Sequence, residues 1–147
     1  VVALAAGMAE GLETGDNARA ALITRGLAEM TRLGVALGGD PLTLSGLAGL
    51  GDVLATCMSD QSRNRHVGEQ VGRGRSPAEV LSGMSQVAEG VRAAGVTCRL
   101  AAAAGIEVPI AEGVRSVFED GRAPTEVWSA LMARRTGAEV VPTGDGA

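Results

Sequence analysis

The stretch GDVLATCMSDQSRNRH, residues 51–66, packs two acids, three hydroxyls, two arginines, two amides and the chain's one histidine into a short span. On a continuous helix Asp52, Thr56, Ser59 and Arg63 would share one face, at i, i+4, i+7 and i+11. A break is expected between Met58 and Gln61, so only Asp52 and Thr56 are expected to project together. A carboxylate and a hydroxyl so paired are residue types that could carry chemistry. The same spacing also suits a helix cap at Asp52 and a Thr56 hydroxyl bonded to its own backbone.

Ser62-Arg63-Asn64-Arg65 falls where a further short helix begins. A helix start exposes unpaired N–H groups, and an arginine beside them completes a site for a phosphate or carboxylate. The plain alternative is a solvated cap with two surface arginines. His66 reads as a residue that orients a neighbour or faces solvent. Gln86-Val87-Ala88-Glu89-Gly90 opens a long helix, where Glu89 suits the helix dipole and could equally accept a hydrogen bond from a sugar hydroxyl or an amide. Met8, Met30, Met84 and Met132 read as core fillers rather than a metal set.

Composition narrows what such residues can serve. The 147 residues are 46% hydrophobic and 20% charged, enough for one globular domain with a real core. The only aromatics are Phe118 and Trp128, so the core must be built from aliphatic side chains and much alanine. Such a domain is expected to gain stability from a neighbouring domain or subunit. The 13 basic residues against 17 acidic ones are all arginines, and there is no lysine. An acidic chain poor in aromatics lacks the basic stripe and stacking platforms of a nucleic-acid binder. Cys57 and Cys98 form no CxxC pair and read as buried, reduced thiols of a cytosolic protein. One histidine argues against zinc. No apolar run reaches membrane-span length, and nothing resembles a secretory signal.

The elements that must position these residues are helical. Val1–Glu13 reads as the end of a helix stopped around Gly15, opening mid-pattern without an initiator methionine, as at an imposed boundary or a cleavage site. Asp16-Asn17 is expected to cap a helix from Ala18, with Ile23, Leu27, Met30, Leu33 and Leu37 on its buried face and Arg19, Arg25, Glu29 and Arg32 elsewhere. Gly38-Gly39-Asp40-Pro41 ends it. After the glycine-rich LTLSGLAGLG come helices from about Asp52 and over Arg63–Val71. Ser76-Pro77-Ala78-Glu79 is a capping box with proline at the first helical position. A long helix follows, with Val87, Val91, Ala94, Cys98 and Ala101/Ala102 on one face, ending near Gly105. Pro109 and Pro124 start the last two, with Val114, Val117 and Phe118, then Val127, Trp128, Leu131 and Met132, apolar. No strict alternation occurs and no repeat is seen. The expectation is an all-α, compact multi-helix domain over residues 1–136, with a flexible tail at 137–147.

The segments VVALAAGMAEGL, GDNARAALITRGLAEMTRLG, SGLAGLGDVLATC, SRNRHVGEQVGRG and VAEGV, in that order, together with the closing PTEVWSALMARR, resemble the C-terminal domain of bacterial NAD(P)-dependent sn-glycerol-3-phosphate dehydrogenases. That resemblance covers nearly the whole chain. It implies an enzyme that interconverts dihydroxyacetone phosphate and sn-glycerol 3-phosphate with NADPH or NADH for phospholipid precursor synthesis. The substrate would lie in a cleft between this helical domain and an N-terminal Rossmann domain that holds most of the cofactor.

The resemblance also assigns residues. Asp52 and Thr56 would line the reacting end of the cleft, and Ser62, Arg63 and Asn64 would hold the substrate phosphate. Arg63 would also approach the cofactor, which Val87 and Glu89 would contact from the helical side. The family's catalytic lysine sits in a Lys-Asn pair just before the segment matching VVALAAG, and Asp52 would position and charge it. Met58-Ser59-Asp60-Gln61 stands where Thr-Ser-Pro-Leu is expected. A cytoplasmic homodimer, inactive as this piece alone, is implied. Two rivals stand beside it: a non-catalytic helical module that binds a phosphorylated metabolite, and the helical domain of another two-domain dehydrogenase, such as one acting on a sugar acid.

Overall fold

The computed structural model describes residues 1–84 and 88–134, and among these the regular structure is helical, with no strand. The all-α expectation is borne out. The expected tail at 137–147 and residue Val87 lie outside the described residues.

Helix α1 (Val2–Gly11) is the axis of the domain. Up to Glu10 it is apolar all round, and Ala3 through Ala9 are all buried, as a helix enclosed on every side requires. Around it stand α2 (Asp16–Ala36), α4 (Asp52–Met58), α5 (Arg63–Gly72), α7 (Glu89–Ala104) and α8 (Pro109–Phe118). The outer elements are α3 (Pro41–Ser45), α6 (Pro77–Ser82) and α9 (Pro124–Ala133). Leu4, Val67, Val71, Ala94, Val114, Val117 and Val127 form the main core, with Phe118, Trp128, Leu131 and Met132 packed against it.

Small residues set how closely α1 and α5 approach. Gly7 and Gly11 on α1 face Gly68 and Gly72 on α5, and a β-carbon at any of the four would collide with backbone of the other helix. That contact draws the first turn of α5, which carries Ser62, Arg63 and Asn64, against the central helix. A charge clamp fixes the same turn. Arg65 donates to both Glu10 carboxylate oxygens, at 2.9 and 2.8 Å, and also pairs with Asp60 at 3.0 Å. Its side chain is only 12% exposed, so Arg65 is a structural clamp rather than a surface arginine. Bidentate geometry is what makes such a pair hold direction as well as charge.

Several local expectations change. The second helix begins at Asp16, two residues early, with Gly15 as its cap in a left-handed backbone (φ 86°), so neither Asp16 nor Asn17 caps it; Asp16 instead pairs with Arg19 at 2.8 Å. Leu37, expected inside, is 54% exposed beyond the last turn, and Ala102 is exposed while Cys98 is only half-buried. Glu29, expected off the buried face, is itself buried. The capping box is present as expected, with Ser76 and Glu79 each bonded to the other's backbone N–H.

Between α3 and α4 the glycine-rich segment forms a wide turn over Leu47–Gly51, closed by the Gly51 N–H donating to the Gly46 carbonyl at 3.2 Å. Such π-type turns shift the register of the helix that follows and recur at functional sites. Gly49 is required here, since a β-carbon would run into the Leu44 backbone. The turn delivers Asp52 to the start of α4.

Candidate functional site

A groove of about 470 Å³ opens between the start of α1, the second half of α2, α3, α4, the middle of α7 and the start of α8. Asp52, Thr56 and Asn64 line it together with Glu29 and Cys57. Its floor is apolar, from residues such as Met30 and Leu33. A concave, mostly apolar site with a few polar groups converging on it is the usual form of a small-molecule site.

Neither plain alternative for Asp52 and Thr56 is realised. The cap of α4 is Gly51, without a side-chain bond, and the Asp52 carboxylate makes no hydrogen bond or ion pair among the described residues. Thr24, Ser45 and Ser129 each return their hydroxyl to the carbonyl four residues back, but Thr56 does not. Asp52 is exposed and Thr56 half-buried, one turn apart on the groove wall. Their polar atoms are therefore uncommitted, which is costly to no one in water and useful to a ligand.

Ser62 does act as a cap. Its Oγ accepts the Arg65 N–H at 3.2 Å, so one hydroxyl lone pair is engaged at the start of α5. Arg63 is exposed in that first turn, and His66 faces solvent one turn along. Ser62 and Arg63 are not part of the groove lining; Asn64 is the residue of this turn that reaches it. Glu89 is exposed in the first turn of α7. The Asn64 Oδ1 accepts the Gly90 N–H at 3.0 Å, joining the α5 turn to the start of α7.

Two groove residues were not among those expected from the sequence. Glu29 accepts the Ile110 and Ala111 N–H groups at 2.8 and 3.0 Å. Those are the orphan donors of α8, whose own cap, Val108, has no side-chain acceptor. Burial pushes the Glu29 carboxyl up, while these two hydrogen bonds and the nearby Arg32 pull the other way. The signal in sequence was the spacing Gly26, Glu29, Leu33 along the buried stripe. Cys57 is buried beside the groove, and burial, reinforced by Asp52, pushes its thiol up to about 11.

The arrangement has relatives. Residues 1–129 match the family described as NAD-dependent glycerol-3-phosphate dehydrogenase C-terminus. The chain belongs to that family. It is 53% identical over 134 residues to a glycerol-3-phosphate dehydrogenase [NAD(P)+] of Salinibacter ruber, covering 91% of this chain and 39% of that protein. A second relative of the same description, from Ralstonia nicotianae, is 53% identical over 141 residues, covering 96% of this chain and 42% of its own length. The crystal structure of glycerol-3-phosphate dehydrogenase from Coxiella burnetii superposes with a TM-score of 0.87 at 41% identity, over 90% of this chain and 41% of that one. This glycerol-3-phosphate dehydrogenase C-terminal domain thus spans about two fifths of the length of the relatives it matches.

Proposed function

We propose that the domain forms the substrate wall of an NAD(P)-dependent glycerol-3-phosphate dehydrogenase, which interconverts dihydroxyacetone phosphate and sn-glycerol 3-phosphate. The observation that carries this reading is the uncommitted pair Asp52 and Thr56, on a groove shared with Asn64. The substrate is small, with a ketone at one end and a dianionic phosphate at the other, and so needs two kinds of recognition within a few ångströms.

The phosphate end suits the first turn of α5. Arg63 brings a permanent positive charge, Asn64 an amide, and the turn its N-terminal N–H groups. Clamped by Arg65 to Glu10, this turn is set before the substrate arrives, so less freedom is lost on binding. Ser62 serves by starting the helix there and by the remaining capacity of its hydroxyl.

The reacting end suits Asp52 and Thr56. Reduction of the ketone develops negative charge on its oxygen, which must receive a proton and be stabilised by a nearby cation or donor. Asp52 is an acceptor and cannot do this alone. It is placed to hold a protonated lysine in the groove, keeping it charged and aimed. The chain itself has no lysine, and Val1 lines the same groove, so a lysine immediately upstream would enter beside Asp52. Thr56 can donate its hydroxyl to the substrate oxygen.

The nicotinamide cofactor supplies the hydride when bound. Among the described residues the domain has no parallel strand ends to cradle a dinucleotide. What it can offer is side contacts: the exposed Glu89 as an acceptor and Arg63 as a cation, with Val87 assigned to the same role by family resemblance. The remainder of the cofactor would rest on a Rossmann domain across the groove. Val96 and Leu100, one turn apart on α7 and 45% and 44% exposed, support a second contact surface and with it a homodimer. We place this dimer in the cytoplasm, a reading supported by Cys57 and Cys98 both being free thiols.

The test is kinetic, in the full-length enzyme. Arg63→Ala is expected to raise KM for dihydroxyacetone phosphate by roughly a hundredfold, the loss of a charge-assisted phosphate contact. Asp52→Asn is expected to lower kcat instead, with KM changed far less. An Arg63→Ala enzyme with unchanged KM removes the phosphate assignment.

A further inference from the structure

Helix α7 starts without a cap of its own, since the residue in that place is Ala88. The missing acceptor comes from another helix, 26 residues earlier in the chain: Asn64 Oδ1 receives the Gly90 N–H at 3.0 Å. The fit is close, because a β-carbon at Gly90 would press on this same Asn64 oxygen. The bond also settles the amide's orientation, since an N–H donor can be met only by the carbonyl end of the side chain. The NH2 end is thereby left for a ligand in the groove that Asn64 lines. One side chain thus has two separate duties, an acceptor toward α7 and a donor toward the groove.

We propose that Asn64 is a positioning residue that couples the two ligands. Its amide NH2 meets the substrate phosphate while its carbonyl holds the first turn of α7, and so Glu89, where the cofactor is met. This rests on the dehydrogenase reading above and goes beyond it, because it makes the placement of α7 depend on a residue of the phosphate turn. An asparagine that served the phosphate alone would leave cofactor affinity untouched when replaced. An asparagine that served only as a helix cap would leave the substrate indifferent to the charge of its replacement.

Two substitutions separate the duties. Asn64→Asp keeps an acceptor for the Gly90 N–H but turns a like charge toward the phosphate. Asn64→Leu removes both functions at similar volume. The measurement is equilibrium binding to the full-length enzyme, NADPH by its nicotinamide fluorescence and glycerol 3-phosphate by calorimetry, with thermal melting alongside. Asn64→Asp is expected to weaken glycerol 3-phosphate at least about tenfold while NADPH stays within about twofold of wild type. Asn64→Leu is expected to weaken both, NADPH by about fivefold or more, as for loss of a half-buried cap.

Gly90→Ala is the reciprocal variant, should Asn64→Leu fail to fold. It breaks the link from the α7 side and is expected to weaken NADPH more than glycerol 3-phosphate. The proposal is overturned if Asn64→Asp weakens both ligands alike or spares glycerol 3-phosphate. It is equally overturned if Asn64→Leu, or Gly90→Ala in its place, leaves NADPH binding at the wild-type value. A wild-type enzyme that binds neither ligand removes the dehydrogenase reading, and the coupling with it. A wild type that binds both, with either of the failing patterns, removes the coupling alone.

Discussion

Burial governs how Cys57 and Glu29 respond to protons, and both sit on the groove. The Cys57 thiol, pushed up to about 11, is almost wholly protonated at neutral pH and is a poor nucleophile. Native protein treated with iodoacetamide at pH 7.5 should therefore be modified first at Cys98, which is only half-buried, with Cys57 reacting after denaturation; peptide mass spectrometry reads the order. Glu29 has its carboxyl raised by burial, so the folded state holds a proton that the unfolded chain has already released. Stability from this group is therefore fully present below the unfolded value and lost as pH rises through the folded one. Glu29→Gln removes the buried charge and keeps one of the two acceptors for α8, at a cost that does not vary with pH, so its stability relative to wild type should grow from pH 5 to pH 8 in urea melts. Glu29→Ala leaves two buried N–H groups without a partner and should cost about 1–3 kcal/mol at either pH.

At the scale of elements, the groove is held open by helices that lack caps of their own. Asn64 caps α7 and Glu29 caps α8, each from a distant helix, so the two elements facing α4 across the groove are tied to its walls. The close approach of α1 and α5 sets where the α5 turn lies. Gly68→Ala would drive a methyl into the Leu4 carbonyl and force the helices apart. It should cost about 1–3 kcal/mol by thermal melting, as overpacking does, and raise KM for the phosphate substrate of the full-length enzyme by moving the Ser62–Asn64 turn. Most helices were legible because their starts are written locally: Ser76 with Glu79, and proline at the first turn of α6, α8 and α9. The exposed pair Asp52 and Thr56 was legible through its i, i+4 spacing. What could not be read was whatever depends on distant partners. Glu29 looks like a surface acid until α8 is placed against it, and Arg65 like a surface arginine until Glu10 is. The π-type turn before Asp52 was hidden too, since Gly49 within it answers to contact with the Leu44 backbone rather than to any local pattern.

The whole molecule carries an apolar surface larger than a free-standing domain needs. Leu42, Leu47 and Met58 are 80%, 91% and 73% exposed, on α3, the π-type turn and α4; α3 and α4 line one side of the groove and the turn joins them. Single exposed leucines are ordinary, but several on neighbouring elements beside a ligand groove mark a contact surface. Relatives are more than twice as long as this chain, and on the reading above their dinucleotide-binding part closes over the groove from this side. Two outcomes follow from that placement. The isolated domain should bind an apolar dye such as ANS and give no turnover with dihydroxyacetone phosphate and NADPH, since it has the substrate wall without a fold to hold the dinucleotide and without a lysine. The pair Leu47→Ser and Met58→Ser should cut the dye signal while shifting the melting temperature little, because neither side chain is packed in the core. In the full-length enzyme the same pair should lower kcat/KM about tenfold by weakening closure of the two domains over the substrate. Unchanged kcat/KM there would move the docking surface away from α3 and α4, and steady turnover by the isolated domain would remove the need for docking altogether.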